Sequence, residues 1–389
     1  MRGFESLVIG RDIGEVPLIA SRICGVCSHP HFWAAAIAAE QIAGVETSKD
    51  IAELRDICNK LGLVQNHVIH LGVLAAPDHI GKNELDYITK ITLEINSYVT
   101  KAIRLICGRL TSPNNYFMGR FFTYINSRVL KSAVELLRAS KPLLEDLTAK
   151  ILDIKLPEIA DPAPFYAALT ESVKTTIPRS PPYYLDTPNG NVYVTSDNYR
   201  EVFKERRTDY SNSRKCLFID EVFHVGSRAR LLSTLKNGGL DSSEREYVVR
   251  YAGVLKENPY SNIYAKALES RIVLDSLIQS IDELSHRELK LEPVLTNKVA
   301  SAGLGVVEAP RGLLIHYYEV SRDRRVTRAD IVTPTVMNTE HIELSATALV
   351  RKLITDSASE EAIRKLVESL VRAYDPCIPC AVHIVRGVE

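Results

Sequence analysis

The sequence has no long apolar run, no net charge and few cysteines. No stretch approaches the roughly 18 uninterrupted apolar residues of a membrane-spanning helix, and the opening MRGFESLVIGRDIGEV lacks the apolar core of a signal peptide. Lys and Arg number 48, as do Asp and Glu, which argues against nucleic acid as a partner. Seven cysteines in 389 residues exclude a disulfide scaffold. We therefore expect a cytoplasmic protein and leave any membrane association to partner chains.

The composition is that of a globular protein with a large core, since 46% of the residues are hydrophobic and 25% are charged. We find no internal repeat and no low-complexity tract. We predict a single unit, 1–389, with three consecutive parts. Residues 1–154 hold a cysteine motif and helices, residues 155–245 form an α+β elaboration, and residues 246–389 hold a helix, a strand–turn–strand and a second cysteine motif.

Apolar periodicity and turn residues predict the local structure. The first predicted helix begins after a capping box at residues 47–50. Four more helices are predicted at about 84–107, 128–156, 262–286 and 360–373. Pro142 is expected to break or kink the helix at 128–156. Asn189-Gly190 predicts a hairpin. Further strands are expected at 303–308, 313–320 and 326–332.

Four cysteines form two CxxC pairs, Cys24/Cys27 and Cys377/Cys380, and 350 residues separate Cys27 from Cys377. A CxxC loop turns both sulfurs toward one point, where two thiolates can share a metal. From the spacing alone, a metal shared by both pairs is favoured, and zinc is the leading ion because it readily takes four thiolates. Two separate thioredoxin-like redox pairs are the alternative.

The residues around these pairs carry a more specific pattern. RICGVCSHPH at residues 22–31 and DPCIPCAVH at 375–383 resemble the paired signatures of the nickel–iron hydrogenase large subunit. The segments RGFE at 2–5, EAPRG at 308–312 and VTPTVMN at 332–338 also resemble that family. The similarity covers nearly the whole chain.

The segments HVIHLGVLAAPDHIG at 67–81 and YSN at 210–212 are most similar to the soluble, multimeric hydrogenases of group 3. The resemblance implies a mainly α fold with α+β elaborations. The expected architecture is a helical bundle whose N- and C-termini meet at the metal centre.

The resemblance also implies a set of metal ligands. Nickel is held by four thiolates, with Cys24 and Cys377 terminal on nickel and Cys27 and Cys380 bridging to an iron that carries CO and cyanide ligands. Soft thiolates suit both metals. Dihydrogen is split heterolytically, and the family assigns the proton to the thiolate of Cys377.

Residues around the centre are implied in the same way. Arg311 lies over the metals near a cyanide, where a guanidinium offers fixed donors and a permanent charge. Thr335 donates to the other cyanide, and Pro310 and Thr333 lie beside these two residues. Asp375 orients Arg311 or shapes the pocket. Read without the motifs, Arg311 is a solvated turn residue and Asp375 a turn former before a proline.

A second metal site is implied near the C-terminus. Glu5, His383 and the backbone carbonyl of Ile331 match ligands of a magnesium or iron ion with an octahedral, oxygen-rich shell. His31 is expected beside a bridging sulfur, toward which it donates. The remaining histidines and cysteines of these regions are expected to pack or to be buried, inert thiols; they are His29, His67, His70, Cys58, Cys107 and Cys216.

The predicted function is reversible cleavage of dihydrogen to protons and electrons. Outside the two CxxC pairs, no cysteines are spaced as ligands of an iron–sulfur cluster, so an iron–sulfur small subunit is expected to carry the electrons away. Further electron-transfer subunits and maturation proteins are also expected as partners. The alternative is a non-catalytic, zinc-stapled structural or assembly protein. A respiratory Complex I subunit of the same descent lacks a nickel–iron centre, and the four cysteines argue against it.

The sequence departs from the family at three places. The family has an N-terminal hairpin whose glutamate accepts the proton, and no counterpart precedes Cys24 in this sequence. We therefore expect that another group relays the proton, that another chain supplies the segment, or that the start codon is misassigned. Asn66 stands where many relatives place a carboxylate. Only six residues follow His383, whereas many relatives carry a longer extension that is removed after the metals are inserted.

Overall fold

Helices make up most of the chain in the computed structural model, which describes residues 2–122, 125–170, 173–178, 181–296 and 298–377. Cys380 and His383 lie outside the described residues. The α-helices of the described residues are α1 (Arg2–Val8), α2 (Val16–Ala20), α3 (Ser28–Ala43), α4 (Lys49–Ile69), α5 (Lys82–Cys107), α6 (Ser127–Leu152), α7 (Tyr199–Val202), α8 (Ser227–Asn237), α9 (Ser242–Val249), α10 (Ala252–Glu257), α11 (Asn262–Ser285), α12 (Pro334–Thr355) and α13 (Glu360–Ala373).

The strands have between two and nine residues. They are β1 (Val45–Glu46), β2 (Tyr116–Phe117), β3 (Arg120–Phe121), β4 (Ala168–Leu169), β5 (Tyr183–Thr187), β6 (Gly190–Val194), β7 (Phe203–Thr208), β8 (Ser211–Phe218), β9 (Val294–Leu295), β10 (Ala302–Ala309), β11 (Gly312–Val320) and β12 (Val326–Val332). Strands β10, β11 and β12 form an antiparallel sheet in that order. The predicted strand–turn–strand and the additional strand after it are confirmed.

Four long helices form a bundle at the centre of the molecule. α4 contacts α5 and α11, and α6 contacts the same two helices. The apolar residues of α5 recur at helical spacing and are buried, as the periodicity predicts. α4 begins after Ser48, whose hydroxyl accepts from the amide of Ile51 at 3.2 Å, one residue later than the predicted capping box. The predicted helical bundle with α+β elaborations is therefore confirmed.

Helix α6 continues through Pro142. A proline costs a helix one hydrogen bond and some strain. Leu144 and Leu147, which follow it, are buried where α6 packs on α5 and α11, so burial outweighs that cost. The predicted break is wrong, and the helix ends at Leu152.

Helix α3 lies directly on strand β10, and this contact fixes the position of the first cysteine motif. The helix is rich in alanine, and the strand carries Gly303 and Gly305 on the contact. A Cβ added to Gly305 would lie against the backbone carbonyl of Ala34, closer than real Cβ contacts. Small residues on both sides therefore let the two backbones approach, and they bring the start of α3 to the end of β10.

Gly305→Ala is expected to lower the free energy of unfolding by about 3 kcal/mol, because neither backbone can move without disturbing the sheet. Chemical denaturation measures the loss. Gly253→Ala is the matched control, since a Cβ there meets nothing within 4 Å and its change is expected to be near zero. Equal stability of the two variants would contradict the close packing of α3 on β10.

Candidate metal centre

Three signature cysteines from opposite ends of the chain meet at one point. Cys27 is the residue that precedes α3, and its amide donates to the sulfur of Cys24 at 3.4 Å. Cys377 follows α13, and its amide donates to the hydroxyl of Thr335 at 3.1 Å. The sulfurs of Cys24 and Cys377 are 3.8 Å apart, and all three sulfurs lie within 4.8 Å of one another. This arrangement can hold a metal ion, and Cys380, the fourth predicted ligand, lies beyond the described residues.

The three thiols disfavour each other's ionisation. The pKa of Cys27 lies well above its usual value because Cys24 and Cys377 are in contact with it and burial penalises the thiolate. The contact with Cys27 lowers the pKa of Cys24, but Cys377 and burial outweigh it, so that pKa is also raised. A metal cation reverses this balance, since it keeps its thiolate ligands deprotonated. The residues therefore fit a soft metal centre.

Arg311 lies beside the cysteines at the turn between β10 and β11. Its Nη2 donates to Oδ1 of Asp375 at 2.8 Å, and its Nε donates to the backbone carbonyl of the same residue. The side chains of both residues are nearly buried. Among the hydrogen bonds of the described residues, Nη1 of Arg311 has no partner. This nitrogen is a buried donor that remains available to a ligand at the site.

A small cavity separates Arg311 from the sulfurs. Cys27, His31, Arg311, Thr335 and Cys377 are among the residues that line it. The hydroxyl of Thr335 accepts from the Cys377 amide, so its own hydrogen can be donated into the cavity. The lining of the cavity thus includes both thiols and hydrogen-bond donors, which suits a metal that carries small anionic ligands.

Two other predicted residues, Thr333 and Pro310, lie in the turn and helix around Arg311. The hydroxyl of Thr333 caps α12 by accepting from the amide of Val336 at 3.5 Å. The carbonyl of Pro310 accepts from Arg230 at 3.3 Å. Both residues therefore support the backbone that carries Arg311 and Thr335.

His31 connects the cavity to the sheet. Its Nδ1 lies 3.0 Å from Nε2 of His316, whose Nδ1 lies 2.6 Å from the hydroxyl of Tyr318. Burial lowers the pKa of His31 to about 4, so its ring is neutral at pH 7. With Nδ1 engaged, Nε2 is the ring atom that remains for a contact with a sulfur.

The structure brings together two of the three predicted ligands of the second site. Oε1 of Glu5, on α1, accepts from the amide of Ile331, on β12, at 3.0 Å. Glu5 is nearly buried, with 7% of its surface exposed. Because the third ligand, His383, lies outside the part of the chain described, the second site stays a prediction.

Sequence reasoning missed a buried ionic cluster behind the Arg311 turn. Arg230, on α8, donates to Glu269 at 2.5 and 2.6 Å, to Glu308 at 2.9 Å and to the carbonyl of Ala309 at 3.0 Å. His67 lies 2.8 Å from the same Glu269. Glu308, Ala309 and His67 lie in segments that resemble the family, but no motif marks Arg230 or Glu269. The one signal is that Glu269 stands among the apolar residues of α11, where a charge requires a partner.

Arg230→Met is expected to lower the free energy of unfolding by about 3–5 kcal/mol at pH 7, because it leaves Glu269 and Glu308 buried without their cation. The loss should shrink at pH 5, since acid protonates the stranded carboxylates. Denaturant unfolding at both pH values measures it. Arg138→Met, at an exposed ion pair with Asp282, is the control and should change stability by less than about 1 kcal/mol. A similar small loss for Arg230→Met would show that the buried cluster is not structural.

The remaining predicted histidines and cysteines pack as expected. His29 bonds the carbonyl of Leu110 at 3.0 Å, and His70 bonds that of Arg372 at 2.7 Å. The three cysteines outside the signatures are buried: Cys58, Cys107 and Cys216. Burial raises the pKa of Cys107 and of Cys216, which makes these thiols unreactive.

Comparison with known proteins gives one consistent family. The family model described as nickel-dependent hydrogenase matches residues 2–103 and 180–383. The chain is 30% identical to the alpha chain of sulfhydrogenase 1 of Pyrococcus furiosus, across 99% of this chain and 90% of that protein. It is 24% identical to the alpha chain of the coenzyme F420 hydrogenase of Methanothermobacter thermautotrophicus, across 99% of this chain and 86% of that protein.

Solved structures share the fold. The structure of an NAD+-reducing [NiFe]-hydrogenase in the H2-reduced state matches with a TM-score of 0.83 at 20% identity, over 98% of this chain and 91% of that one. A Ni-Fe-Se hydrogenase of D. vulgaris Hildenborough matches with a TM-score of 0.73 at 17% identity, over 98% of this chain and 92% of that one. The chain therefore belongs to the nickel-dependent hydrogenase family, as a large subunit.

Proposed function

We propose that this chain cleaves dihydrogen reversibly and heterolytically at a nickel–iron centre held by Cys24, Cys27, Cys377 and Cys380. The observation that carries the proposal is the convergence of three of these sulfurs within 4.8 Å, from residues 350 positions apart. A centre of this kind, with CO and cyanide on iron, supplies the metal chemistry that splits dihydrogen.

Side chains of the protein have three proposed tasks at this centre: to hold a proton, to donate hydrogen bonds to the cyanide ligands, and to orient the donor. The sulfur of Cys377 is proposed to take the proton, since it is buried beside the cavity and a metal keeps its thiol deprotonated between cycles. Arg311 is proposed to donate to a cyanide through Nη1, and Thr335 to the other through its hydroxyl. Asp375 holds the guanidinium in place at 2.8 Å.

A magnesium or iron ion is proposed at a second site, held by Glu5, the carbonyl of Ile331 and His383. The contact of Glu5 with the backbone of Ile331 supports it. Carboxylate, carbonyl and imidazole ligands would supply the oxygen-rich shell that such an ion prefers. Glu5→Gln is expected to remove this ion from the purified complex without removing nickel, and elemental analysis measures both.

The electrons are proposed to leave through an iron–sulfur small subunit, with further electron-transfer subunits of the group 3 type and maturation proteins as partners. Support comes from the relatives, which are named as the alpha chains of hydrogenases with more than one kind of chain. In the described part of the chain, no helix is long and apolar enough to cross a membrane. A cytoplasmic location is proposed with this arrangement.

The test is the purified complex assayed for nickel and for hydrogen/deuterium exchange in the gas phase above it. One nickel per chain and exchange without added electron acceptor are expected. Zinc in place of nickel, with no exchange, would instead support a zinc-stapled assembly protein.

A further inference from the structure

Lys266 is a buried lysine one turn before Glu269 on α11. Its ammonium Nζ lies 2.6 Å from Oδ2 of Asp375, and 4% of its side chain is exposed. Removing an ammonium from water is costly, so a lysine in this position requires a strong partner. Asp375 is that partner, and it lies 109 residues away along the chain.

Asp375 is held from two sides. Lys266 binds one of its carboxylate oxygens and Arg311 binds the other, at 2.6 and 2.8 Å. The backbone of Asp375 adopts a left-handed conformation, with φ of 53°, which is strained for a residue other than glycine. The two cations therefore fix both the carboxylate and the strained turn that precedes Cys377.

We propose that Lys266 is a positioning residue of the hydrogenase site: it fixes Asp375, and Asp375 in turn fixes the Arg311 guanidinium so that Nη1 is presented to the cavity beside the cysteines. Asp375 occupies Nε and Nη2 of Arg311, and Nη1 is the nitrogen left over. Without Lys266, Asp375 can rotate and take the guanidinium with it. The proposal rests on the proposed role of Arg311 and adds a residue outside every signature motif.

The charges around Lys266 make this arrangement depend on pH. The groups that face Lys266 are Asp375 and Arg311, His67 and His70 from α4 and the turn after it, Arg230 from α8, and Glu269 on its own helix. Burial, aided by the two arginines and opposed by Asp375, lowers the pKa of Lys266 to about 8. Burial lowers the pKa of both histidines to about 4 or below, so they stay neutral in this range. Lys266 is therefore charged below pH 8, and Asp375 loses one of its two cations above it.

The test compares Lys266→Met and Lys266→Arg with the wild-type complex. Lys266→Met is expected to keep its nickel, to exchange hydrogen and deuterium about 10–100-fold more slowly, and to shift the infrared cyanide bands, because the donor Nη1 moves. Wild-type exchange should fall as the pH rises through about 8, whereas Lys266→Arg stays charged and should lose this alkaline fall. Lys215→Met, which removes a buried lysine paired with Glu340, is the control and should keep wild-type bands and pH profile.

Lys266→Met with wild-type bands, the wild-type pH profile and exchange within a factor of two would overturn the proposal. If that variant fails to fold or loads no nickel, a pH titration of the wild-type complex replaces it. The cyanide bands of the wild-type complex should shift with a midpoint near pH 8. Bands that stay constant from pH 6 to 10 would also overturn the proposal. A wild-type complex without cyanide bands would contradict the proposed function instead.

Discussion

Cys27→Ser is expected to abolish hydrogen uptake and to leave little nickel in the purified complex. A serine hydroxyl stays protonated near neutral pH and is a harder ligand than a thiolate, so it cannot replace the sulfur that we propose as a bridge between nickel and iron. Hydrogen uptake with an artificial electron acceptor and elemental analysis measure the two losses.

Cys58→Ser is the matched control for this change. Cys58 is a buried cysteine of α4 outside the signatures, and its replacement should leave nickel content and turnover unchanged. A Cys27→Ser complex that carries full nickel and turns over like the wild type would refute the assignment of Cys27 as a bridging ligand.

Arg311→Lys is expected to retain the metals and to lose hydrogen uptake by about 10²–10³-fold, the usual cost of removing one preorganised donor. Lysine keeps the charge but has one nitrogen. It cannot bind the carboxylate and the carbonyl of Asp375, as Nη2 and Nε do, and also present a donor to the cavity.

Steady-state uptake and nickel content measure the effect of this substitution. Arg138→Lys, at an exposed ion pair, should behave as the wild type. If turnover of Arg311→Lys stays within a factor of two, Arg311 is a structural turn residue.

The sequence predicted those elements that carry apolar residues at helical spacing or apolar runs bounded by turn residues. Helix α13 is found over the predicted range, and the β10–β11 hairpin and β12 lie within two residues of theirs. Helix α3 escaped prediction because nearly all its residues are buried, so its alanine-rich sequence shows no polar face. Helix α12, whose first residues belong to the VTPTVMN motif, is also absent from the predicted elements.

The signatures likewise identified the three cysteines that meet and the arginine beside them. They could not identify Lys266, Arg230 or Glu269. The partners of these buried charges stand far away along the chain, so only the packing of α11 against α8 and the C-terminal segment brings them together. A charged residue within an apolar helix face signals such a partner but does not say which residue it is.

Infrared spectroscopy of the purified complex shows whether the nickel–iron centre is present, because CO and cyanide bound to iron absorb where protein groups do not. We expect one CO band and two cyanide bands in the wild-type complex and their loss in Cys27→Ser. A complex with full metal occupancy, no such bands and zinc at the cysteines would contradict a nickel–iron centre at this site.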